Sequence, residues 1–145
     1  MELGRLLGLD VGSKRTGVAV SDAYRMIATP LTTVEAKNKG EWVKKIIEII
    51  EKEEISAVLI GIPLNQFGEE GQDAKNIRGY IALLRERVSL PVIEWDERFT
   101  TVQAERTLIS ADVSRRDRKG VIDKVAAAII LQSYLDSLRF SSEQP

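Results

Sequence analysis

The sequence predicts an α/β protein whose core is one five-stranded mixed sheet flanked by helices. Two observations predict this class. In the second half of the chain, short apolar runs of strand length are separated by segments with helical spacing, which is typical of parallel strands joined by helical crossovers. The first three runs follow one another with only short turns between them, which favours antiparallel pairing on that side of the sheet.

Each predicted element depends on its own local pattern. A turn at Lys14 and Arg15 separates the first two strands, and the third strand contains Pro30, which suits an edge strand or a bend. The continuous apolar run from Ala57 to Ile62 predicts a strand covered on both faces. In chain order, we predict strands over 5–11, 16–21 and 27–34, a helix over 40–54, a strand over 57–62, a helix over 73–88, a strand over 92–96, a short helix over 100–109 and a long helix over 118–140.

Length and composition limit the classes of protein. A chain of 145 residues suits a single domain, which we assign to residues 1–140, followed by a disordered tail over 141–145. No apolar run approaches the roughly 18 residues that a membrane span needs, and the N-terminus lacks the pattern of a secretory signal. Cysteine is absent, so disulfides and thiol chemistry are excluded. We therefore expect a cytoplasmic protein.

Three acidic residues occur in apolar surroundings. Asp10 lies near the end of the first strand, Glu97 follows the apolar run over 90–95, and Asp123 lies in the apolar start of the last helix. A buried charge needs a compensating partner, and three such carboxylates indicate a divalent-metal site. Because the chain has no histidine, oxygen ligands and hence Mg²⁺ or Mn²⁺ are favoured over zinc. Taken singly, the three acids also fit a strand-end turn residue, a surface loop acid and a helix cap.

Four motifs carry a resemblance to a known family. In order along the chain, they are Leu9-Asp10-Val11-Gly12-Ser13-Lys14-Arg15-Thr16-Gly17-Val18-Ala19-Val20-Ser21-Asp22, then Gly61-Ile62-Pro63-Leu64-Asn65 with Gly68 and Gly71, then Asp96-Glu97-Arg98-Phe99-Thr100-Thr101, and finally Asp123-Lys124-Val125-Ala126-Ala127. Together they resemble the YqgF family of Holliday-junction resolvases, which are also described as pre-16S ribosomal RNA nucleases. The resemblance covers residues 5 to about 138.

The resemblance implies a fold and a reaction. The fold would be ribonuclease H-like, with strand order 3-2-1-4-5 and strand 2 antiparallel. The activity would be hydrolysis of phosphodiester bonds with one or two Mg²⁺ or Mn²⁺ ions, and Asp10, Glu97 and Asp123 would be the catalytic and metal-binding acids. The second acid departs from related nucleases, because it follows strand five rather than strand four. Whether Asp96 or Glu97 enters the site stays open at this point.

The partner implied by the resemblance is nucleic acid, either an rRNA precursor or branched DNA. The predicted substrate-binding residues are Lys14, Arg15, Asn65, Arg98, Arg115, Arg116, Arg118 and Lys119. Segment 114–124 holds five basic residues against two acidic ones, although the net charge of the chain is only −1. The alternatives are a solvated turn for Lys14 and Arg15, a salt bridge to Asp96 for Arg98, and a solvated loop for the cations from Arg115 to Lys119.

Two other functions remain compatible with the sequence. Asp10 and Gly12 followed by Lys14 and Thr16 also resemble the first phosphate motif of actin-like ATPases, which share this fold but need two domains to enclose a nucleotide. A non-catalytic RNA-binding module in ribosome assembly is the second alternative. The sequence does not rank RNA against DNA, endonuclease against exonuclease, or monomer against homodimer.

Overall fold

The computed structural model describes residues 3–100 and 118–143. Its elements are β1 (Arg5–Val11), β2 (Arg15–Ser21), β3 (Ala28–Glu35), α1 (Lys39–Lys52), β4 (Ile55–Ile62), α2 (Gln72–Arg87), β5 (Val92–Asp96), a 3₁₀ turn (Glu97–Phe99) and α3 (Arg118–Glu143). The five strands form one sheet in the order β3-β2-β1-β4-β5. This confirms the predicted architecture and strand order.

The direction of each strand decides which residues meet at one edge of the sheet. β2 runs antiparallel to β1 and β3, whereas β4 is parallel to β1 and β5 is parallel to β4. The carboxyl ends of β1, β3, β4 and β5 therefore lie along the same edge. Asp10 is near the end of β1 and Glu97 directly follows β5, so both acids belong to this edge.

The two faces of the sheet are covered differently. On one face, α1 and α2 pack on large aliphatic side chains such as Leu9, Ile46 and Ile60. On the other, α3 packs with small residues such as Ala126 and Ala127 against the sheet. Alternation along β1 assigns Leu7 and Leu9 to the first face, and Leu6, Gly8 and Asp10 to the second.

Two glycines let α3 lie close to the sheet. A Cβ added to Gly17 in β2 would overlap the backbone carbonyl of Asp123, and one added to Gly8 in β1 would stand 2.9 Å from Cβ of Leu131. Ala126 and Ala127 are fully buried in the same interface. The start of α3 is thus held against the end of the sheet that carries Asp10.

Some element bounds differ from the prediction. β5 leads into a 3₁₀ turn, and most of the predicted helix over 100–109 and loop over 110–117 lies outside the described residues. α3 continues to Glu143 and so includes residues 141–143, which the sequence analysis assigns to a disordered tail. The physical reason is that no Gly or Pro interrupts the chain between Phe140 and Glu143. None of the described helices is long and apolar enough to cross a bilayer.

Candidate active site

A cleft of about 560 Å³ opens at the carboxyl edge of the sheet. Asp10, Glu97 and Asp123, the three acids predicted to form the site, all line it. The described lining residues are Asp10, Val11, Gly12, Ser13, Lys39, Pro63, Asp73, Asn76, Ile77, Tyr80, Glu97 and Asp123. Open α/β sheets place their ligand sites at this edge.

Strand pairing and a glycine bring Asp10 and Asp123 together. Asp10 pairs with Gly17 across β1 and β2, so both residues face α3. Because Gly17 has no side chain, the backbone of Asp123 occupies the space above it. Arg15, two residues earlier on the same face of β2, donates from Nε to Oδ2 of Asp123 at 2.9 Å. The Asp123 carboxylate is therefore held at the end of the sheet by an ion pair.

Glu97 rather than Asp96 reaches the cleft. A Cβ added to Gly61, near the end of β4, would stand 2.9 Å from Oε1 of Glu97, so Gly61 leaves room for this carboxylate. Asp96 instead accepts from Nε and Nη2 of Arg98, at 2.9 and 2.6 Å from Oδ2. The hydrogen bond from the Arg98 side chain holds the pKa of the Asp96 carboxyl below its ordinary value, against a smaller opposing effect of burial.

The donor chemistry of the cleft fits a hard divalent cation. Asp10, Glu97 and Asp123 offer carboxylate oxygens, which Mg²⁺ and Mn²⁺ prefer. No three acidic side chains within residues 3–100 and 118–143 are grouped closely enough to hold a metal ion. Asp123 is paired with Arg15, so binding an ion there would require this carboxylate to share or exchange its partner. The metal ligand set stays a prediction.

The predicted substrate-binding residues have different surroundings. Lys14 is exposed in the β1–β2 turn, directly after Ser13, which lines the cleft. Arg98 makes the salt bridge to Asp96 that the sequence left as its alternative. Oδ1 of Asn65 accepts from the backbone N–H groups of Phe67 and Glu69, which shapes the loop after β4.

The remaining predicted cations lie at or beyond the limits of the described chain. Arg118 and Lys119 begin α3, while Arg115 and Arg116 lie outside the described residues.

Five cleft residues lie outside every motif and site named in the sequence analysis; one is the apolar Ile77, and the four with polar groups are Lys39, Asp73, Asn76 and Tyr80. Lys39 begins α1, Asp73 and Asn76 lie in the first half of α2, and Tyr80 lies at its middle. The predicted strand directions could have indicated that the starts of α1 and α2 lie at the cleft. β3 and β4 both end at the cleft edge, so the helices that follow them must start beside it.

The fold and the cleft define a class, that of ribonuclease H-like proteins with acidic side chains at the carboxyl edge of the sheet. The model of the RuvX family, described as Holliday junction resolvases, matches residues 4–137. The chain belongs to this family, and so to a class of nucleases that use a divalent metal ion in phosphodiester hydrolysis.

Two relatives illustrate how far the similarity extends. A protein of Caldanaerobacter subterraneus subsp. tengcongensis is 50% identical over 138 residues, covering 94% of this chain and 99% of its own. A protein of Clostridium acetobutylicum is 42% identical over 134 residues, covering 92% and 99%. Both are provisionally named pre-16S rRNA nucleases.

A solved structure agrees on the fold. The RuvC of T. thermophilus, in complex with a Holliday junction substrate, matches with a TM-score of 0.61 at 15% identity, covering 98% of this chain and 99% of that chain. The predicted ribonuclease H-like fold is thereby confirmed.

Proposed function

We propose that this chain is a Mg²⁺- or Mn²⁺-dependent nuclease that cleaves precursor 16S rRNA, a four-way DNA junction, or both. One observation carries the proposal: Asp10, Glu97 and Asp123, from three separate elements, line one cleft in a chain of a resolvase family. The names of the relatives support the RNA substrate, and the family description supports the junction. A cytoplasmic location would fit either substrate.

The cleft residues have distinct roles in this proposal. Asp10, Glu97 and Asp123 would hold the ion, which when bound supplies water activation and charge stabilisation at the phosphate. Arg15 keeps Asp123 at the end of the sheet, and Gly61 leaves space for the Glu97 carboxylate. Because the chain has no histidine, imidazole takes no part in moving protons in the cleft.

The predicted substrate-binding residues would guide the nucleic acid to the cleft. Lys14 follows Ser13 of the cleft lining, so its exposed ammonium would be within reach of a backbone phosphate. Arg98 would have to leave Asp96 in order to clamp a phosphate with both guanidinium nitrogens. Arg115, Arg116, Arg118 and Lys119 are proposed to bind further backbone phosphates. Asn65, whose Oδ1 shapes the loop after β4, is proposed to bind the substrate as well.

The test is a cleavage panel with the full-length protein. A precursor 16S rRNA fragment, a synthetic four-way DNA junction and single-stranded DNA are incubated with Mg²⁺, Mn²⁺, Ca²⁺ or EDTA. We expect cleavage of the rRNA precursor or the junction with Mg²⁺ or Mn²⁺, and none with EDTA. The Asp10→Asn variant is the matched control, and we expect it to be folded and inactive.

Two results would contradict the proposal. Binding without cleavage under all metal conditions would favour the RNA-binding module over the nuclease. ATP binding by the purified chain, together with inactivity on every nucleic acid, would favour the actin-like ATPase.

A further inference from the structure

The cleft has a second wall that the acids do not explain. Asp73, Asn76 and Tyr80 of α2 lie on it, together with Lys39 of α1. Among the described residues that line the cleft, Lys39 is the only cation. Four of them carry a carboxylate, namely Asp10, Asp73, Glu97 and Asp123. A polyanionic substrate entering this cleft would therefore meet one positive side chain on the wall formed by α1 and α2.

The structure holds the Lys39 ammonium in a defined place. Lys39 is the first residue of α1, directly after Asn38, whose side chain caps the helix by accepting from the Glu41 N–H at 2.8 Å. Its Nζ lies 5.3 Å from the ring centroid of Tyr80, within the range of a cation–π contact. A Cβ added to Gly79 would stand 2.5 Å from this Nζ, so the glycine leaves the space that the ammonium occupies.

The ring under Lys39 is itself fixed by the core. Tyr80 packs edge-on against Trp42, with centroids 4.8 Å apart. Trp42 is buried, and its Nε1 donates to Oγ1 of Thr16 in β2 at 2.9 Å. Contacts therefore connect Thr16 in β2, through the rings of Trp42 and Tyr80, to the Lys39 ammonium. Such support is what a substrate-positioning side chain requires.

We propose that Lys39 is a substrate-binding residue that holds a backbone phosphate of the nucleic acid on the α1–α2 side of the cleft. The inference rests on the nuclease function proposed above and deepens it. It proposes that the cleaved nucleic-acid strand contacts the α1–α2 wall of the cleft, opposite Asp123.

Charge and exposure favour a phosphate over an internal partner. Lys39 is exposed, and within the described residues its ammonium forms no salt bridge with a carboxylate. An ammonium is a compact charge that suits a phosphate oxygen. Asp10, Asp73, Glu97 and Asp123 by themselves would repel a phosphodiester, and Lys39 offsets part of that repulsion where the strand must pass.

The first experiment compares Lys39→Gln with Lys44→Gln. Lys44 is exposed on the same helix but does not line the cleft, so it is a matched control for lost charge. Affinity for the four-way junction and for a single-stranded RNA is measured in EDTA at several salt concentrations. We expect only Lys39→Gln to reduce the log–log salt slope, by about 0.9 on the junction and about 0.7 on the RNA. With metal, KM rises and kcat is retained.

The second experiment displaces the ammonium without removing it. Gly79→Ala pushes Lys39 Nζ aside, while Ala is a better helix former than Gly, so the melting temperature should stay equal or rise. We expect weaker nucleic-acid binding in this variant. In the Lys39→Gln background, Gly79→Ala should cause no further loss, because both changes act on the same ammonium.

The outcomes separate this inference from the proposed function. A salt slope of Lys39→Gln equal to that of Lys44→Gln, in a wild type that binds and cleaves, overturns the role of Lys39 alone. Additive losses in the double variant overturn the positioning by Gly79. A wild type that neither binds nor cleaves any nucleic acid overturns the proposed function and this inference together.

Discussion

The two faces of the sheet are packed on different principles. Under α1 and α2, the core consists of large aliphatic side chains, with Leu9, Ile46 and Ile60 fully buried. Under α3, glycines and alanines replace many of these, and Gly17 lies directly against the backbone of Asp123. Both faces bury large side chains, Leu59 and Leu131 among them on the second face, but only the second also brings backbones close together, at Gly17 and Asp123.

The difference shows how one fold separates stability from function. Burial of large side chains contributes most where the packed volume is greatest, which is the face under α1 and α2. The close approach of α3 instead positions Asp123 beside Arg15 and opposite Asp10. We therefore expect changes in the aliphatic core under α1 and α2, away from the cleft, to alter mainly the free energy of unfolding, and changes where α3 meets the sheet near Gly17 to alter mainly the cleavage rate.

The largest expected loss of folding stability comes from Ile46→Ala on the α1–α2 face. Ile46 is fully buried, and removing its side chain leaves a cavity, so the free energy of unfolding should fall by about 2–5 kcal/mol. The cleavage rate per folded molecule should stay unchanged. Denaturant unfolding together with cleavage assays at matched folded fraction checks both. A selective loss of cleavage would break the proposed separation of the two faces.

A smaller loss of stability with a larger loss of activity is expected from Gly17→Ala. The new Cβ would overlap the carbonyl of Asp123 and push α3 away, and overpacking of this kind costs about 1–3 kcal/mol. Moving Asp123 should lower the cleavage rate by more than about tenfold, because catalytic geometry tolerates little displacement. Gly71→Ala is the control, since a Cβ there meets nothing within 4 Å. Full activity of Gly17→Ala would contradict the close-approach argument.

The smallest change in folding stability is expected from Arg98→Gln, which removes the Asp96–Arg98 ion pair. This pair lies at the end of β5, outside both packed faces of the sheet. The hydrogen bond from Arg98 lowers the pKa of Asp96, so the pair stabilises the fold above the unfolded-state pKa and loses this contribution as pH falls through the folded-state pKa. In Arg98→Gln, the pKa of Asp96 measured by NMR should rise toward its ordinary value. The stability gap between wild type and variant should close at acid pH, and a gap independent of pH would exclude this pair as its source.

Much of the fold could be predicted because its signals are local. Apolar runs and helical spacing gave the five strands and the two helices between them, and strand directions followed from the lengths of the connections. Asp10 and Asp123 stood out because each carries a charge in an apolar segment. The choice between Asp96 and Glu97 could not be made, because it depends on how the chain turns after β5.

The other half of the cleft depends on contacts between distant segments. Lys39 and Tyr80 are ordinary helix residues in the sequence, and only the pairing of α1 with α2 at the sheet edge brings them together. The role of Gly17 is equally hidden, because a glycine in a strand does not show which helix will cover it. The ion pair between Arg15 and Asp123 joins residues 108 positions apart.

The most direct test of the account is the cleavage rate of Asp123→Asn on the substrate that wild type cleaves, measured at equal folded fraction. Asparagine keeps the shape of the side chain and an oxygen that can accept from Arg15, so the melting temperature should be retained. The account predicts a loss of two or more orders of magnitude in rate, which corresponds to about 3 kcal/mol of transition-state stabilisation. Cleavage at the wild-type rate would contradict it, because Asp123 would then lie beside the active site without belonging to it.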